Sequence, residues 1–412
     1  MQEDFEHNNL IERFEAMLKT NENYFFDLED FLDIIDEYIT LGNLNMAQKA
    51  IEIGLQQHPE NFDIQLYQAE LHSLNDRLEA AESLLMHLEN INPNRTEIPM
   101  LRAEIYSRKH LHKKAIEALK QALDLQGHDP GEIYELMTVE FLYLDDYQSA
   151  LDTSLKALNH DPESSTALYN AITCFDLLDE SDKAIAFLEN YLSKNTFSEV
   201  GWSLLAKKYM DKQLFEKALN AIDYAIAIDD RFLGAYYDKA YIYTVLKEYD
   251  KALEFYKLTL SIADPTAFTY FHIARIYEKL EKDDLAIDFY LKAINEDPGH
   301  YKSWIKLIQL KLHQNNLDEA LEITKKALDI VSNQELYEIL GQIYLRQNNT
   351  DKAIEAYEMS LKLGDPKLTV ILQLADLYKQ TLQIEKFKQL LLAAKNQFPD
   401  SVEIQKRMLG NK

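Results

Sequence analysis

Apolar residues recur at three-and-four spacing along almost the whole chain, in short stretches separated by polar breaks. This pattern predicts amphipathic helices throughout. A small-residue marker shows that they come in pairs. Alanine stands at Ala47, Ala81, Ala115, Ala150, Ala184, Ala218, Ala252, Ala286, Ala320 and Ala353, Phe387 continues the series, and the gaps run from 33 to 35 residues. The residue nine places before each marker is aromatic in nine of eleven cases, His72 and Lys311 being the exceptions. Twelve places before the marker, small residues dominate (Ala69, Ala103, Ala206, Ala240, Ala274, Gly341, Ala375), and seven places after it they recur (Gly54, Ala122, Ala157, Ala225, Ala293, Ala327). Pro59, Pro93, Pro162, Pro298 and Pro399 each follow twelve places after a marker. Small residues let two helix axes approach within roughly 8–10 Å. The aromatic fills the space beside that crossing, and proline stops the second helix of a pair. A single pair cannot bury its apolar faces, so the units must stack.

The 34-residue period and these positions together resemble the tetratricopeptide repeat family. Trp202, Leu205, Ala206 and Tyr209 followed by Ala218 and Ile222 form one good copy of its pattern, and Tyr337, Leu340, Gly341, Tyr344, Ala353 and Tyr357 form another. The chain is similar in overall pattern to bacterial arrays of that family, a likeness that brings no activity with it. The resemblance implies an all-α, right-handed α-solenoid superhelix with a concave groove lined by the first helix of each unit. Residues 28–401 hold about eleven 34-residue units. Residues 1–27 read as an N-terminal capping helix, with Phe5, Leu10, Ile11, Phe14, Met17 and Leu18 on its inner face, Tyr24, Phe25 and Phe26 tying it down and Asp27 capping the next helix. Residues 402–412 read as a short C-terminal cap with Met408 and Leu409. Asp129, Pro130 and Gly131 follow a lengthened loop between the third and fourth units.

Composition narrows the function class. The 412 residues hold 10 glycines and 9 prolines, too few for a turn-rich β architecture, and a single cysteine, which excludes an internal disulfide framework and a multi-cysteine zinc site. The start, Met1 to His7, is acidic and polar, unlike an export signal, and the apolar runs are far shorter than the roughly 20 residues of a membrane span. A cytoplasmic protein that does not enter membranes is the expectation. The net charge of −27 is uneven: residues 1–206 carry 14 basic and 39 acidic residues, whereas residues 207–412 carry 29 and 31. Such a surface aids solubility and can steer a basic partner, and it disfavours nucleic acid, whose phosphates require clustered Lys and Arg.

Candidate chemistry is sparse. No phosphate loop, zinc-protease helix or nucleophile elbow is present, so neither an enzyme nor a cofactor or metal is predicted. His110 and His112 read as an inert loop pair, Cys174 as a buried thiol and His272 as a structural histidine. Groove-facing residues should lie fifteen, eleven and eight places before each marker. In the first units this face is acidic, through Asp36, Glu70, Glu104 and then Glu135, with Glu29, Glu97 and Glu132 at the mouths of the same helices. Further along it becomes aromatic and basic. Tyr169, Asn170, Lys207, Tyr237, Tyr241, Phe271, Arg275 and Lys302 form the candidate partner-binding groove, with Phe268 nearby. The Lys/Asn pair with which some family members bind C-terminal carboxylates is absent. The function expected is a non-enzymatic scaffold or adaptor that binds a protein or peptide in the groove. The alternatives are an acidic, chaperone-like holder of a basic partner and a small-molecule-sensing regulator, and self-association is compatible with each.

Overall fold

A computed structural model describes residues 2–20, 24–125 and 127–409, with side chains from Leu10 onward; Phe5 thus lies outside the described side chains. Among the described residues all regular structure is helical. The chain divides into two compact units, Met1–Tyr209 and Met210–Lys412. The first contains α1 (Gln2–Thr20), α2 (Leu28–Thr40), α3 (Leu44–Gln57), α4 (Phe62–Leu74), α5 (Leu78–Ile91), α6 (Glu97–Arg108), α7 (His112–Asp124), α8 (Pro130–Tyr143), α9 (Tyr147–His160), α10 (Ser165–Leu177), α11 (Ser181–Lys194) and most of α12 (Glu199–Asp211). The second contains α13 (Phe215–Ile228), α14 (Leu233–Val245), α15 (Tyr249–Ile262), α16 (Ala267–Lys279), α17 (Asp283–Glu296), α18 (Tyr301–His313), α19 (Leu317–Ile330), α20 (Gln334–Arg346), α21 (Thr350–Leu363), α22 (Leu368–Gln380), α23 (Ile384–Gln397) and α24 (Val402–Leu409). Within each unit successive helices pack against one another, giving an all-α solenoid.

The markers occupy every second helix, from Ala47 in α3 to Phe387 in α23, and all ten alanines are fully buried. The helices carrying Ala47, Ala81, Ala150, Ala286 and Phe387 each end two residues before the proline that follows them. The helix before each marker is closed by a turn with a left-handed residue five places before that marker. Gly42 fills it in the first case, but Asp76, His110, Asp145, Asp179, Gln213, Lys247, Glu281, Asn315, Asn348 and Leu382 fill the others, with φ between 55° and 62°. The next backbone N–H donates to the carbonyl five residues back, as from Asn43 to Tyr38 and from Gln383 to Tyr378, both at 2.8 Å. This is the Schellman closure, which ordinarily prefers glycine at the left-handed position.

The ends differ in detail from the sequence expectation. On α1, Leu10, Phe14 and Met17 are buried against the first helix pair, and the ring of Phe14 meets the edges of Phe26 and Phe31 at 6.0 and 6.5 Å. Of the three aromatics after α1 only Phe26 is buried; Tyr24 and Phe25 stay exposed, because the segment is fastened through its backbone. Gln57 donates to the Tyr24 carbonyl at 2.7 Å and accepts from the Phe26 N–H at 3.0 Å. Asp27 stands at the N-cap of α2 but its side chain makes no capping bond. At the other end Ile404, not Met408 or Leu409, is the buried residue, and Arg407 grips the Asp376 carboxylate with bonds of 2.8 and 2.7 Å. Asp129 does cap α8, accepting from the Gly131 N–H at 3.0 Å.

Two glycine exchanges should shift stability in opposite directions. A methyl group at Gly341 would lie 2.7 Å from Cε1 of the fully buried Tyr357. Overpacking of about 1–3 kcal/mol should outweigh the roughly 1 kcal/mol gained in helix propensity, so Gly341→Ala lowers the unfolding midpoint. Leu382 is 81% exposed and held at φ 58°. Relief of about 1–2 kcal/mol of left-handed strain, less the roughly 0.5–1 kcal/mol entropic penalty of glycine, should make Leu382→Gly stabilising by about 0.5–1 kcal/mol. Urea unfolding of both variants checks the pair; a destabilised Leu382→Gly or a stabilised Gly341→Ala would contradict the assigned packing.

Candidate functional site

Four helices of the first unit, α2, α4, α6 and α8, surround a cavity of about 730 Å³. That volume lies within the roughly 300–1,000 Å³ of typical ligand clefts. Its lining reproduces the register derived from the markers. Leu32, Leu66 and Met100 stand fifteen places before theirs, Asp36, Glu70, Glu104 and Val139 eleven places before, and Ser107 eight places before. Of the expected acidic positions, Glu97 and Glu132 also line the cavity whereas Glu29 and Glu135 do not. The Glu135 carboxylate instead accepts a short hydrogen bond from the Ser164 hydroxyl at the start of the next helix pair.

Seven carboxylates and one arginine line this space, so it is strongly negative. Their pairing is unequal. Arg95 joins Asp63 at 2.8 Å to Glu97 at 2.9 Å and lays its guanidinium 4.7 Å over Phe62. Glu104 accepts from Arg108 at 3.0 Å and from the Ser73 hydroxyl at 3.1 Å. Among the described residues Asp36 accepts only a neutral donor, the Tyr67 hydroxyl at 3.2 Å. Glu70, half-buried, has no ion pair among the described residues. Burial, followed by repulsion from Glu104 and Asp36, pushes its carboxyl up from the usual 4.5 to about 6. Burial and the Asp36 charge likewise hold the Tyr67 hydroxyl well above its ordinary range. On α8 the character changes: Leu136, Val139 and Tyr143 form an exposed apolar stripe at three-and-four spacing.

The His110–His112 reading needs correction. His110 occupies the left-handed turn, but His112 begins α7 and is half-buried, with Nδ1 2.8 Å from the Glu140 carboxylate and its ring stacked on Tyr143 at 4.8 Å. Glu140 and Tyr143 both line the cavity, so this histidine braces its wall. No spacing rule pointed to this, because His112 and Glu140 lie 28 residues apart in different helix pairs. Among the described residues no group of three or more His, Cys, Asp or Glu side chains could hold a metal ion, and no helix is long and apolar enough to cross a membrane. Cys174 is buried, which pushes its thiol up to about 11.

The residues expected to form the aromatic and basic groove are distributed between the units. In the first, Tyr169 on α10 and Lys207 on α12 are exposed and Asn170 is half-buried. The neighbouring Lys208 is the buried lysine, bonded to Asp176 at 2.6 Å. In the second, Tyr237 on α14 hydrogen-bonds the Thr269 hydroxyl and meets the edge of the Phe268 ring at 5.2 Å. Tyr241 and Phe268 are about half exposed, and Arg275 and Lys302 are exposed. Phe271 departs from the expectation. It is 8% exposed, its ring 5.8 Å from Tyr290 and 5.1 Å from His300, because it fills space between α16, α17 and the start of α18. His272 lies 4.2 Å from the Phe268 ring, and burial, then Arg275, His300 and Lys302, lower it to about 4, so it is neutral at pH 7.

Residues 32–94 and 204–268 match a family model described as tetratricopeptide repeat, residues 269–300 match a second model of that description, and residues 291–379 match one described as a tetratricopeptide repeat-like domain. No curated protein matches this chain. Among solved structures it is similar to the APC/C hetero-tetramer Cut9-Hcn1, at 15% identity and a TM-score of 0.38 over 93% of this chain and 96% of that one. It is similar to a tetratricopeptide repeat protein from Parabacteroides merdae, at 18% identity and 0.43 over 62% and 100%. It is also similar to YrrB, described as a TPR protein with an unusual peptide-binding site, at 18% identity and 0.35 over 44% and 94%.

The raised carboxyl of Glu70 has a signed consequence for stability. The folded chain binds this proton more tightly than the unfolded chain does, so the penalty is fully present above about pH 6 and disappears as the pH falls towards 4.5. Discounted for solvent screening, it amounts to about 1 kcal/mol. Glu70→Gln should therefore stabilise the chain by about that much at pH 7.5, and the gap to the wild type should close between pH 6.5 and 4.5. Urea titrations of both proteins across that range test it, and a gap that ignores pH would refute the repulsive cluster.

Proposed function

We propose that this chain, which belongs to the tetratricopeptide repeat family, is a protein-interaction scaffold that holds a peptide segment of its partner in the cavity between α2, α4, α6 and α8. One observation carries the reading: positions turned away from the helix crossings place Asp36, Glu70, Glu104 and Val139 in the cavity wall. A solenoid must fill its crossings to fold, but it has no comparable need to line a cleft with an exposed apolar stripe. Leu136, Val139 and Tyr143 offer the kind of surface on which a partner's side chains are desolvated. Proteins of this family and fold typically act as non-enzymatic scaffolds, and the reading assigns the cavity no reaction.

A second reading concerns the second unit taken by itself. Tyr241 and Phe268 expose about half of their surface, and Arg275 and Lys302 form no ion pair among the described residues. That combination suits an acidic peptide or a C-terminal carboxylate, with Tyr237 in support. Within the first unit, Tyr169, Asn170 and Lys207 have comparable chemistry.

Panning a random peptide library on the intact chain tests the first reading. The enriched consensus should lose at least tenfold in affinity on Val139→Trp, which obstructs the cavity, while circular dichroism stays unchanged. Consensus peptides that bind the obstructed variant equally well would remove the cavity as the site. The second reading predicts that Arg275→Glu with Lys302→Glu abolishes binding of any acidic consensus from the same library. Undiminished affinity would exclude that face.

A further inference from the structure

The cavity of the first unit has two unlike sides, and this asymmetry specifies its occupant. One side is a row of carboxylates carried by successive first helices: Asp36 on α2, Glu70 on α4 and Glu104 on α6. Only Glu104 of these has a cation partner among the described residues, Arg108. The corresponding position on α8 is Val139, and with Leu136 and Tyr143 it makes the other side apolar and water-exposed. Leu66 and Met100 continue the apolar surface beneath the acidic row. A purely cationic ligand would leave the α8 stripe wet, and a purely apolar one would bury Asp36 and Glu70 without compensation.

We infer that the cavity takes a basic, amphipathic segment of a partner protein, with its Lys or Arg side chains on the carboxylates of α2, α4 and α6 and its apolar side chains on α8. This rests on the scaffold reading above. Neighbouring first helices lie roughly 8–10 Å apart, so the carboxylates match basic residues about two helical turns apart in a bound helix, near 10.5 Å. An apolar residue beside each basic one then faces Leu136, Val139 and Tyr143. The net charge of residues 1–206 attracts such a segment from a distance, but the choice of side is made inside the cavity.

Fluorescence anisotropy with three labelled eighteen-residue peptides on the full chain tests this: one of leucine and lysine, one with glutamate for lysine and one with serine for leucine. The leucine–lysine peptide should bind, weakening about tenfold or more between 50 and 500 mM salt. The glutamate peptide should not bind, and the serine peptide should be at least tenfold weaker. Asp36→Asn with Glu70→Gln and Glu104→Gln should cost at least tenfold. Glu52→Gln with Glu60→Gln and Glu117→Gln, the same charge change at exposed positions outside the cavity, should cost less than twofold. Equal losses from the two triple variants would show a diffuse field and overturn the inference, as would equal binding of the serine and leucine peptides. If library peptides sensitive to Val139→Trp prove to lack Lys and Arg, the scaffold reading stands and this inference alone fails.

Discussion

Every helix pair but the last, where Phe387 stands, crosses where one helix presents a methyl group in place of a longer side chain. The ten marker alanines, fully buried without exception, are the points about which the two helices of a pair are fixed in rotation. The tolerance there is narrow: even the hydrogen of Gly341 could not become a methyl group without moving Tyr357. Fixing the rotation assigns every other position. Residues nine and twelve places before a marker, and four and seven after it, turn inward to the core of their own or the next pair. Residues eleven places before it stay exposed or half-buried, as do most of those fifteen and eight places before it. Eight residues of the cavity wall stand at those positions, so the constraint that builds the solenoid leaves them free to vary in chemistry.

That freedom is used differently in the two units. The first carries Asp36, Glu70 and Glu104 at one register position, and the second carries Tyr241 and Arg275 at the same position. The acidic choice is not neutral for stability. Glu70 sits half-buried near two other carboxylates, and of the three only Glu104 has a cation partner among the described residues. Elsewhere in the same unit, carboxylates turned towards other helices receive partners: Glu89 holds Arg102 at 2.6 Å, Glu82 holds Lys109 at 2.8 Å and Asp176 holds Lys208. Asp36 and Glu70 differ from these in lining the cavity with no cation partner among the described residues.

Much of this was legible in the sequence, because a repeat displays each packing rule many times. The alanine period, the aromatic nine places earlier and the terminating prolines all record backbone approach and helix termination, which few residue types satisfy. What stayed hidden was conformation that nearly any residue can adopt at moderate expense. The left-handed turn residue recurs at the same period, but only Gly42 advertises it; Asp, Asn, Lys, Gln, Glu, His and Leu occupy the rest. The His112–Glu140 brace was invisible because two side chains on different helix pairs meet only in three dimensions. Phe271 was assigned to the groove on its register position, yet an aromatic at that position is long enough to swing between neighbouring helices and join the core. Register sets where a Cα lies; for a large side chain it does not decide which side of the layer the ring occupies.

In the binding mode proposed above, the two scales of negative charge in the first unit act on different steps of association. The net excess over residues 1–206 extends across the surface and is screened within about 8 Å at physiological salt, so it acts on diffusional encounter and raises the rate at which basic segments arrive. Once a partner is seated, water is excluded between Glu70 and the apolar stripe of α8, the local dielectric falls and each ion pair strengthens. Those contacts govern how slowly the segment leaves. A surface field alone would gather basic proteins indiscriminately and release them quickly. The half-buried carboxylates opposite an apolar wall add the selectivity the field lacks, because they reward only a segment that is basic on one side and apolar on the other.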